Sequence, residues 1–190
     1  MSELVARTGR HQQRYEDGCR LVAGCIPFKY ENSKDESGAL SEKIVEVLMI
    51  NSSSGPGLVF PKGGWENDET VEEAAAREAF EEAGVKGDLM HFLGYYLFKS
   101  KTLQDELCPE GLCKAAMFAL HVKEELQSWP EQRTRQRSWL TIPQAITSFR
   151  HSWMRKALEE GFSKWQADGM MSTVKGNNEH LVSSPASSPD

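Results

Sequence analysis

The segment REAFEEAG, residues 77–84, places three glutamates and one arginine within little more than one turn of a predicted helix. Like charges three or four residues apart destabilise a helix by a few tenths of a kcal/mol per pair, roughly 0.2–0.5. A helix that only had to be soluble would intersperse lysines with the acids. The segment therefore indicates a site that uses negative charge.

The flanking residues predict that this helix spans residues 71–83. Thr70 and Glu73 fit the spacing of a capping box, in which the two side chains satisfy the first free backbone N–H groups. Gly84 stands where a helix commonly ends in a residue with positive φ. The acidic segment is thus the C-terminal half of a helix with defined ends.

The acidic residues of this helix have a regular spacing. Glu78, Glu81 and Glu82 are related as i, i+3 and i+4, so their carboxylates share one face. An adjacent stripe of alanines lets the helix lie close to a sheet: Ala75, Ala79 and Ala83. The carboxylates are then held at the edge of a packed surface, where a bound cation would relieve their repulsion.

The charge of the chain is concentrated in this region. The net charge is −6 over 190 residues, but residues 63–85 contain eight acids and one base, Arg77. The rest of the chain is therefore close to neutral. Clustered carboxylate oxygens suit hard divalent cations such as Mg²⁺ or Mn²⁺. A solvated acidic helix with an alanine packing stripe is the alternative interpretation of charge alone.

The spacing from Gly63 to Val85 favours the cation site. It resembles the signature of the Nudix hydrolases, which cleave nucleoside diphosphates linked to another moiety and related pyrophosphates. The matching positions are Gly63, Glu69, Arg77, Glu78, Ala79, Glu81, Glu82, Gly84 and Val85.

The resemblance implies an α/β/α sandwich with a central mixed sheet and a catalytic loop-helix-loop. It implies that Glu78, Glu81, Glu82 and the carbonyl of Gly63 bind Mg²⁺ or Mn²⁺. Arg77, Glu78 and Glu82 are the implied catalytic residues, with Glu78 a candidate general base that Arg77 holds in place. Members of the family differ in which glutamate is the base.

The remaining pattern agrees with such a fold. Apolar runs predict strands, and a Pro start and apolar spacing predict two C-terminal helices, the second about 152–167. The predicted strands cover residues 20–28, 43–50, 89–101, 115–123 and 138–142. The order of strands, helix, strands and helices suits a mixed sheet with helices on both faces. We expect an N-terminal arm (1–17), one hydrolase domain (18–168) and a disordered Ser/Pro-rich tail (169–190).

Basic residues outside the acidic segment are candidates for substrate binding. Arg133, Arg135 and Arg137 alternate and would share one face of an extended segment, which predicts a phosphate clamp. A charged edge strand is the alternative. Arg20 and Lys62 are further candidates for a polyanion pocket.

A closer resemblance addresses the substrate. The stretches FPKGGWENDET, AGVKG, WPEQ and RSWL look like the plant branch of the diphosphoinositol polyphosphate and diadenosine polyphosphate hydrolases. The resemblance implies a small polyphosphate substrate of either type. Cleavage of mRNA caps is an alternative, which the lack of a long basic stripe with aromatics disfavours. A Nudix module that binds polyphosphate without cleaving it is a second alternative.

Cysteine usage and hydropathy limit the possible environment of the protein in the cell. We expect reduced thiols, no membrane span, no nucleic-acid partner and a monomer in the cytoplasm or nucleus. The arginines of the N-terminal segment make a mitochondrial location the alternative. Cys108 and Cys113 flank a turn and could be half of a zinc site, but no second pair has ligand spacing.

Overall fold

The computed structural model describes residues 6, 7, 11–34, 38, 40–100 and 110–169, and Cys108 and the predicted tail from residue 170 lie outside this part. The strands are β1 (Tyr15–Glu16), β2 (Cys19–Lys34), β3 (Leu40–Asn51), β4 (Leu58–Val59), β5 (Lys62–Gly64), β6 (Val85–Lys99), β7 (Leu112–Glu125) and β8 (Arg137–Thr141). The helices are α1 (Val71–Ala83), α2 (Ile142–Ile146) and α3 (Ser152–Lys156). A π-helical segment, Ala157–Phe162, continues α3, and residues 163–169 are again helical.

The strands form one mixed sheet with the order β4-β3-β2-β7-β6. β2 and β7 run parallel, and the other neighbours are antiparallel. β1 and β5 also pair with β2, and β8 pairs with β3. The long strand β2 is therefore the centre of the sheet, and it places β5 and its glycines beside the middle of the fold.

Helices cover both faces of the sheet, as predicted. The alanine stripe of α1 (Ala75, Ala79, Ala83) is completely buried, because these small side chains let α1 pack closely on the sheet. On the other face, Phe28 of β2 packs against Phe162 and Trp165, whose ring centroids lie 5.2 and 5.7 Å from that of Phe28. None of the helices in the described ranges is long and apolar enough to cross a membrane.

The ends of α1 are fixed as the sequence predicts. The Thr70 side chain accepts a hydrogen bond from the Glu73 backbone N–H at 3.2 Å. Gly84 ends the helix with φ +64°, and a Cβ at this position would lie 2.6 Å from the Trp129 ring. The Trp129 indole N–H also donates to the Glu82 carbonyl at 3.1 Å. The C-terminus of α1 is therefore locked by a residue that is 45 positions further along the chain.

Several predicted elements differ in extent. β2 continues to Lys34 rather than ending at residue 28, because residues 29–34 pair with β3, and β3 and β7 are also longer than predicted. The strand predicted from residue 89 begins at Val85, directly after the helix cap, because residues 85–88 extend the pairing with the end of β7. The helix predicted for 152–167 is present, but the π-helical segment interrupts its α-geometry around Gly161. There, a Cβ would lie 2.8 Å from the Tyr96 hydroxyl, so the glycine allows close packing on β6.

We expect Gly84→Ala to lower the free energy of unfolding by at least about 2 kcal/mol, since it adds a left-handed backbone penalty to a clash with Trp129. Gly18→Ala is the matched control, because Gly18 also has positive φ (+74°) but has no atom within 4 Å of the added Cβ. Urea unfolding of both variants measures the difference. Equal losses of unfolding free energy in Gly84→Ala and Gly18→Ala would show that the Trp129 contact does not stabilise the helix end.

Candidate metal and active site

The three glutamates of α1 lie together in a nearly dry position. Glu78, Glu81 and Glu82 are 7%, 5% and 9% exposed. Carboxylates are seldom buried to this degree without partners, because an isolated buried charge is costly. The arrangement therefore depends on the groups that compensate their charge.

Arg77 is the main compensating group. Its Nε and Nη2 donate to both oxygens of Glu69 at 2.9 and 2.8 Å, and Nη2 also donates to the Gly64 carbonyl at 2.9 Å. Its Nη1 donates to Glu78 at 2.9 Å and to Glu81 at 3.2 Å. One guanidinium thus connects the loop before α1 to two of the helix glutamates, using its planar set of donors.

Glu82 has different partners. One oxygen accepts from the Lys62 backbone N–H at 3.1 Å, and the other accepts from Arg135 Nη2 at 3.3 Å. Arg135 also donates to the Asn51 carbonyl at 2.8 Å. Residues from β5, the end of β3 and the loop before β8 therefore meet at this carboxylate.

Burial dominates the proton affinity of the pair Glu78 and Glu82. Burial raises the pKa of Glu78, nearby Glu82 raises it further, and Arg77 opposes the shift. Burial also raises the pKa of Glu82, against the opposing effects of Arg135 and Lys62. The neighbouring cations thus compensate only part of the cost of burying these carboxylates, which leaves a demand for further positive charge.

The donor set fits a hard divalent cation. It consists of carboxylate oxygens beside the Gly63 backbone, and a Cβ on Gly63 would lie 2.1 Å from a Glu78 oxygen. Only glycine leaves this space between backbone and carboxylate. Within the described ranges, however, no three acidic, imidazole or thiol groups converge in a metal-binding arrangement, since the glutamate oxygens face Arg77, Arg135 and Arg7. Metal binding would therefore require these side chains to exchange partners.

The predicted arginine clamp is not one surface. Arg133 lies in a turn and is exposed, because residues 131–134 are not extended. Arg135 contacts Glu82, whereas Arg137 donates to the Ala83 and Gly84 carbonyls, each at 3.1 Å. The prediction that the three share one face is therefore wrong, since the turn interrupts the alternation.

Arg137 instead completes the C-terminal cap of α1. Its guanidinium lies over the Trp129 ring, 4.2 Å from the centroid, and donates to the Leu126 carbonyl at 2.6 Å. A cation at the negative end of the helix dipole is favourable. This residue supports the helix that carries the glutamates.

The structure separates the other two basic candidates. Lys62 donates its backbone N–H to Glu82, but its ammonium lies 5.3 Å from the centre of the Phe98 ring. Arg20 is only 7% exposed, and its Nε donates to Gln13 at 2.9 Å. Arg135 therefore brings its side chain to the glutamates and Lys62 its backbone N–H, while Arg20 lies in a buried polar contact with the N-terminal segment.

The contacts of three residues at the site were not predicted from the sequence. Glu69 accepts from two of the three guanidinium nitrogens of Arg77, and Trp129 holds the end of α1. The Arg7 backbone N–H donates to Glu81 at 3.1 Å, and its side chain pairs with Glu66 and Asp68. The position of Glu69 in the family signature could have indicated its role. The contacts of Trp129 and Arg7 join distant parts of the chain, so no local sequence pattern indicated them.

The chain is similar to known proteins over most of its length. The NUDIX domain model matches residues 37–161. Nudix hydrolase 16, mitochondrial, of Arabidopsis thaliana is 67% identical over 180 residues, 95% of this chain and 100% of that protein. Diphosphoinositol polyphosphate phosphohydrolase 3-alpha of Mus musculus is 33% identical over 133 residues, 68% of this chain and 69% of that protein.

A solved structure shares the fold. The binary complex of the C. elegans Ap4A hydrolase superposes with a TM-score of 0.53 at 20% identity, covering 78% of this chain and 98% of that one. This likeness supports the predicted mixed α/β architecture.

The cytoplasmic or nuclear location predicted from the sequence is wrong. The 67% identical Arabidopsis thaliana relative is named as a mitochondrial protein, and it aligns over its whole length. The comparison therefore points to mitochondria, the alternative that the N-terminal arginines had raised.

We expect the metal-free protein to lose stability as pH rises. Glu78 and Glu82 have pKa values above the ordinary value of 4.5, so the folded state binds more protons than the unfolded state above that pH. The free energy of unfolding then falls from about pH 4.5 upward through the raised pKa values. Urea unfolding in EDTA across this range measures the slope.

Glu78→Gln should flatten this slope, because it removes one of the two groups. Glu73→Gln, at an exposed position of the same helix, should retain the wild-type slope. A wild-type stability that is constant or rises over this range would contradict the predicted cost of ionising the buried pair.

Proposed function

The chain belongs to the Nudix hydrolase family, and we propose that it cleaves the phosphoanhydride bonds of diphosphoinositol polyphosphates, diadenosine polyphosphates or both. The observation that carries the proposal is the group of three buried glutamates on α1, to which the guanidinium groups of Arg77 and Arg135 donate hydrogen bonds. Lys62 adds its backbone N–H as a donor to Glu82, and its positive charge opposes the rise in the pKa of that carboxyl. A site with this composition can hold both a metal ion and a run of phosphates.

Nudix hydrolases use divalent cations, and the donor oxygens of this site suit Mg²⁺ or Mn²⁺. We assign Glu78, Glu81, Glu82 and the Gly63 carbonyl as the residues that would hold the ion. When bound, the ion supplies positive charge that offsets the phosphates and the crowded carboxylates. That positive charge would offset the remaining cost of burying the Glu78 and Glu82 carboxylates.

The protein side chains have separate tasks in the proposed reaction. Glu78 takes the proton of the attacking water, and its burial gives the carboxylate a high proton affinity. Arg77 holds the Glu78 carboxylate in position through the 2.9 Å hydrogen bond. Glu82 completes the acidic site at the point nearest to the basic residues. Exclusion of water by the packed alanine stripe strengthens each of these interactions.

Phosphate binding is assigned to Arg135, Lys62 and Arg133. Arg135 already contacts the carboxylate of Glu82, Lys62 donates its backbone N–H to the same carboxylate, and the exposed Arg133 is separated from Arg135 by one residue. Both proposed substrates have a high density of negative charge, which several basic groups recognise better than one. The names of the mouse relative and the C. elegans structure match these two substrate classes. The name of the Arabidopsis relative supports a mitochondrial setting for the reaction.

We expect Glu82→Gln to lower turnover at least about a hundredfold in the presence of Mg²⁺, because it removes a ligand charge from the site. Glu73→Gln is the matched control, since it removes the same charge from an exposed position of the same helix. Product analysis with an inositol pyrophosphate and diadenosine hexaphosphate at equal concentration measures both rates. Circular dichroism checks that each variant is folded.

The result also separates the alternatives. Cleavage of either compound that depends on Glu82 supports the proposal. The compound that is cleaved faster identifies the preferred substrate class. Binding of both compounds without any product would indicate a polyphosphate-binding module instead. Unchanged rates in Glu82→Gln would refute the assigned metal role.

The basic residues allow a second test. We expect the double variant Arg133→Gln, Arg135→Gln to raise KM for a long polyphosphate by about tenfold, and for a nucleoside diphosphate sugar by less. Arg137→Gln should lower Tm and leave this KM ratio unchanged, because Arg137 caps α1. Steady-state kinetics on both substrates gives the ratio. An equal KM change for the two substrates would mean that phosphates bind elsewhere.

A further inference from the structure

One side of α1 and the neighbouring part of β6 form an apolar surface that the described residues leave uncovered. Phe92, Tyr95 and Leu97 of β6 are 40%, 57% and 61% exposed. Ala76 and Phe80 lie one turn apart on the adjoining side of α1. We call these five residues the α1–β6 surface.

The strand register places this surface on the sheet face that α1 covers. Tyr95 pairs with Ala116, Ala116 with Ala23, and Ala23 with Gly63, which faces Glu78 of α1. Directly paired residues point to the same face of a sheet. Tyr95 thus lies on the α1 side, about 14 Å from Gly63 at three strand spacings. Ala23 and Ala116 between them are buried, whereas Tyr95 itself is exposed.

The α1–β6 surface is concave where α1 meets β6. A cavity of about 360 Å³ lies beside Ala76, Arg77 and Phe80 and is also lined by Val85, Lys86, Gly87 and Leu120. The centroid of the Phe92 ring lies 5.0 Å from that of Tyr95 and 5.3 Å from that of Phe118, which is two residues before Leu120 on β7. β6 is also the last strand at its end of the sheet path. Contiguous exposed apolar side chains of this kind mark interaction sites in folded proteins.

Opposite charges flank the helical part of the surface. Glu72 is exposed and precedes Ala76 by four residues and Phe80 by eight, so the three form one stripe on α1. The ammonium of Lys86 lies 5.1 Å from the centre of the Phe80 ring. Eight residues of helix span about 12 Å. The stripe thus has an acid at one end and a base at the other.

We propose that the α1–β6 surface binds a second copy of this chain about a two-fold axis. A two-fold axis perpendicular to the stripe reverses its direction, which brings Glu72 of one copy to the partner's Lys86, and Lys86 to the partner's Glu72. Such self-complementarity is what an isologous interface requires. Burial of the aromatic and aliphatic side chains supplies affinity, and the two charge pairs fix the register.

The dimer goes beyond the proposed hydrolase activity and differs from the monomer that the sequence favoured. The interface uses the side of α1 that carries Glu72, Ala76 and Phe80, whereas Glu78, Glu81 and Glu82 point away from it. The metal site therefore stays open in each copy. Loss of dimerisation and loss of activity can be measured independently.

The first test is the concentration dependence of mass. Analytical ultracentrifugation of the full chain from about 1 to 100 μM should show a monomer–dimer equilibrium that high salt weakens. Leu97→Glu should weaken association at least about tenfold with little change in Tm, because the side chain is exposed in the monomer. A wild type that is monomeric throughout this range would overturn the proposal. A monomer in which Leu97→Glu lowers Tm would overturn it too, because another part of the chain would then cover the surface.

The second test concerns the arrangement of the two copies. Glu72→Lys and Lys86→Glu should each weaken the dimer, and the double variant should restore it, because the exchanged charges again face opposite charges. Glu160→Lys is the control for reversing the charge of an exposed helical glutamate, since Glu160 lies in the helical segment on the opposite face of the sheet. Failure of the double variant to recover association would refute the two-fold arrangement.

Discussion

The guanidinium of Arg77 holds the centre of this molecule together. It binds Glu69 with two nitrogens and reaches the Gly64 carbonyl, Glu78 and Glu81 with the same planar group. Removing it would leave a buried group of carboxylates with little to offset their repulsion. A lysine could not replace it, because a single ammonium cannot reach an acid on the loop and acids on the helix in these directions. The loop and the helix are therefore one unit.

α1 serves a different purpose on each of its sides. The alanine stripe fixes its distance from the sheet, the glutamates face the loop and the basic residues, and the outer stripe borders an uncovered apolar step. Its end is fixed by Gly84, Trp129 and Arg137, which come from three separate parts of the chain. Because metal ligands must keep their positions to within a fraction of an ångström, a helix anchored at both ends suits a catalytic site.

The basic residues near the glutamates have two roles that their sequence pattern does not distinguish. Arg135 lies at Glu82, where it partly offsets the acid and is available to a phosphate. Arg137, two residues later, stacks on Trp129 and binds the last carbonyls of the helix. One arginine thus contacts the glutamates, where we propose that phosphate binds, and the other supports the end of the helix.

The sequence by itself determined the helix, its two ends, the shared face of Glu78, Glu81 and Glu82, and the family. These features depend on local spacing, which the geometry of a helix converts directly into positions. The tertiary structure alone decided which arginine meets Glu82, because a turn at residues 131–134 breaks the alternation that predicted a clamp. It also placed Trp129 on Gly84 and brought β6 beside the outer side of α1. Contacts between residues far apart in the chain depend on how the strands pair, and strand pairing leaves no local pattern from which they can be inferred.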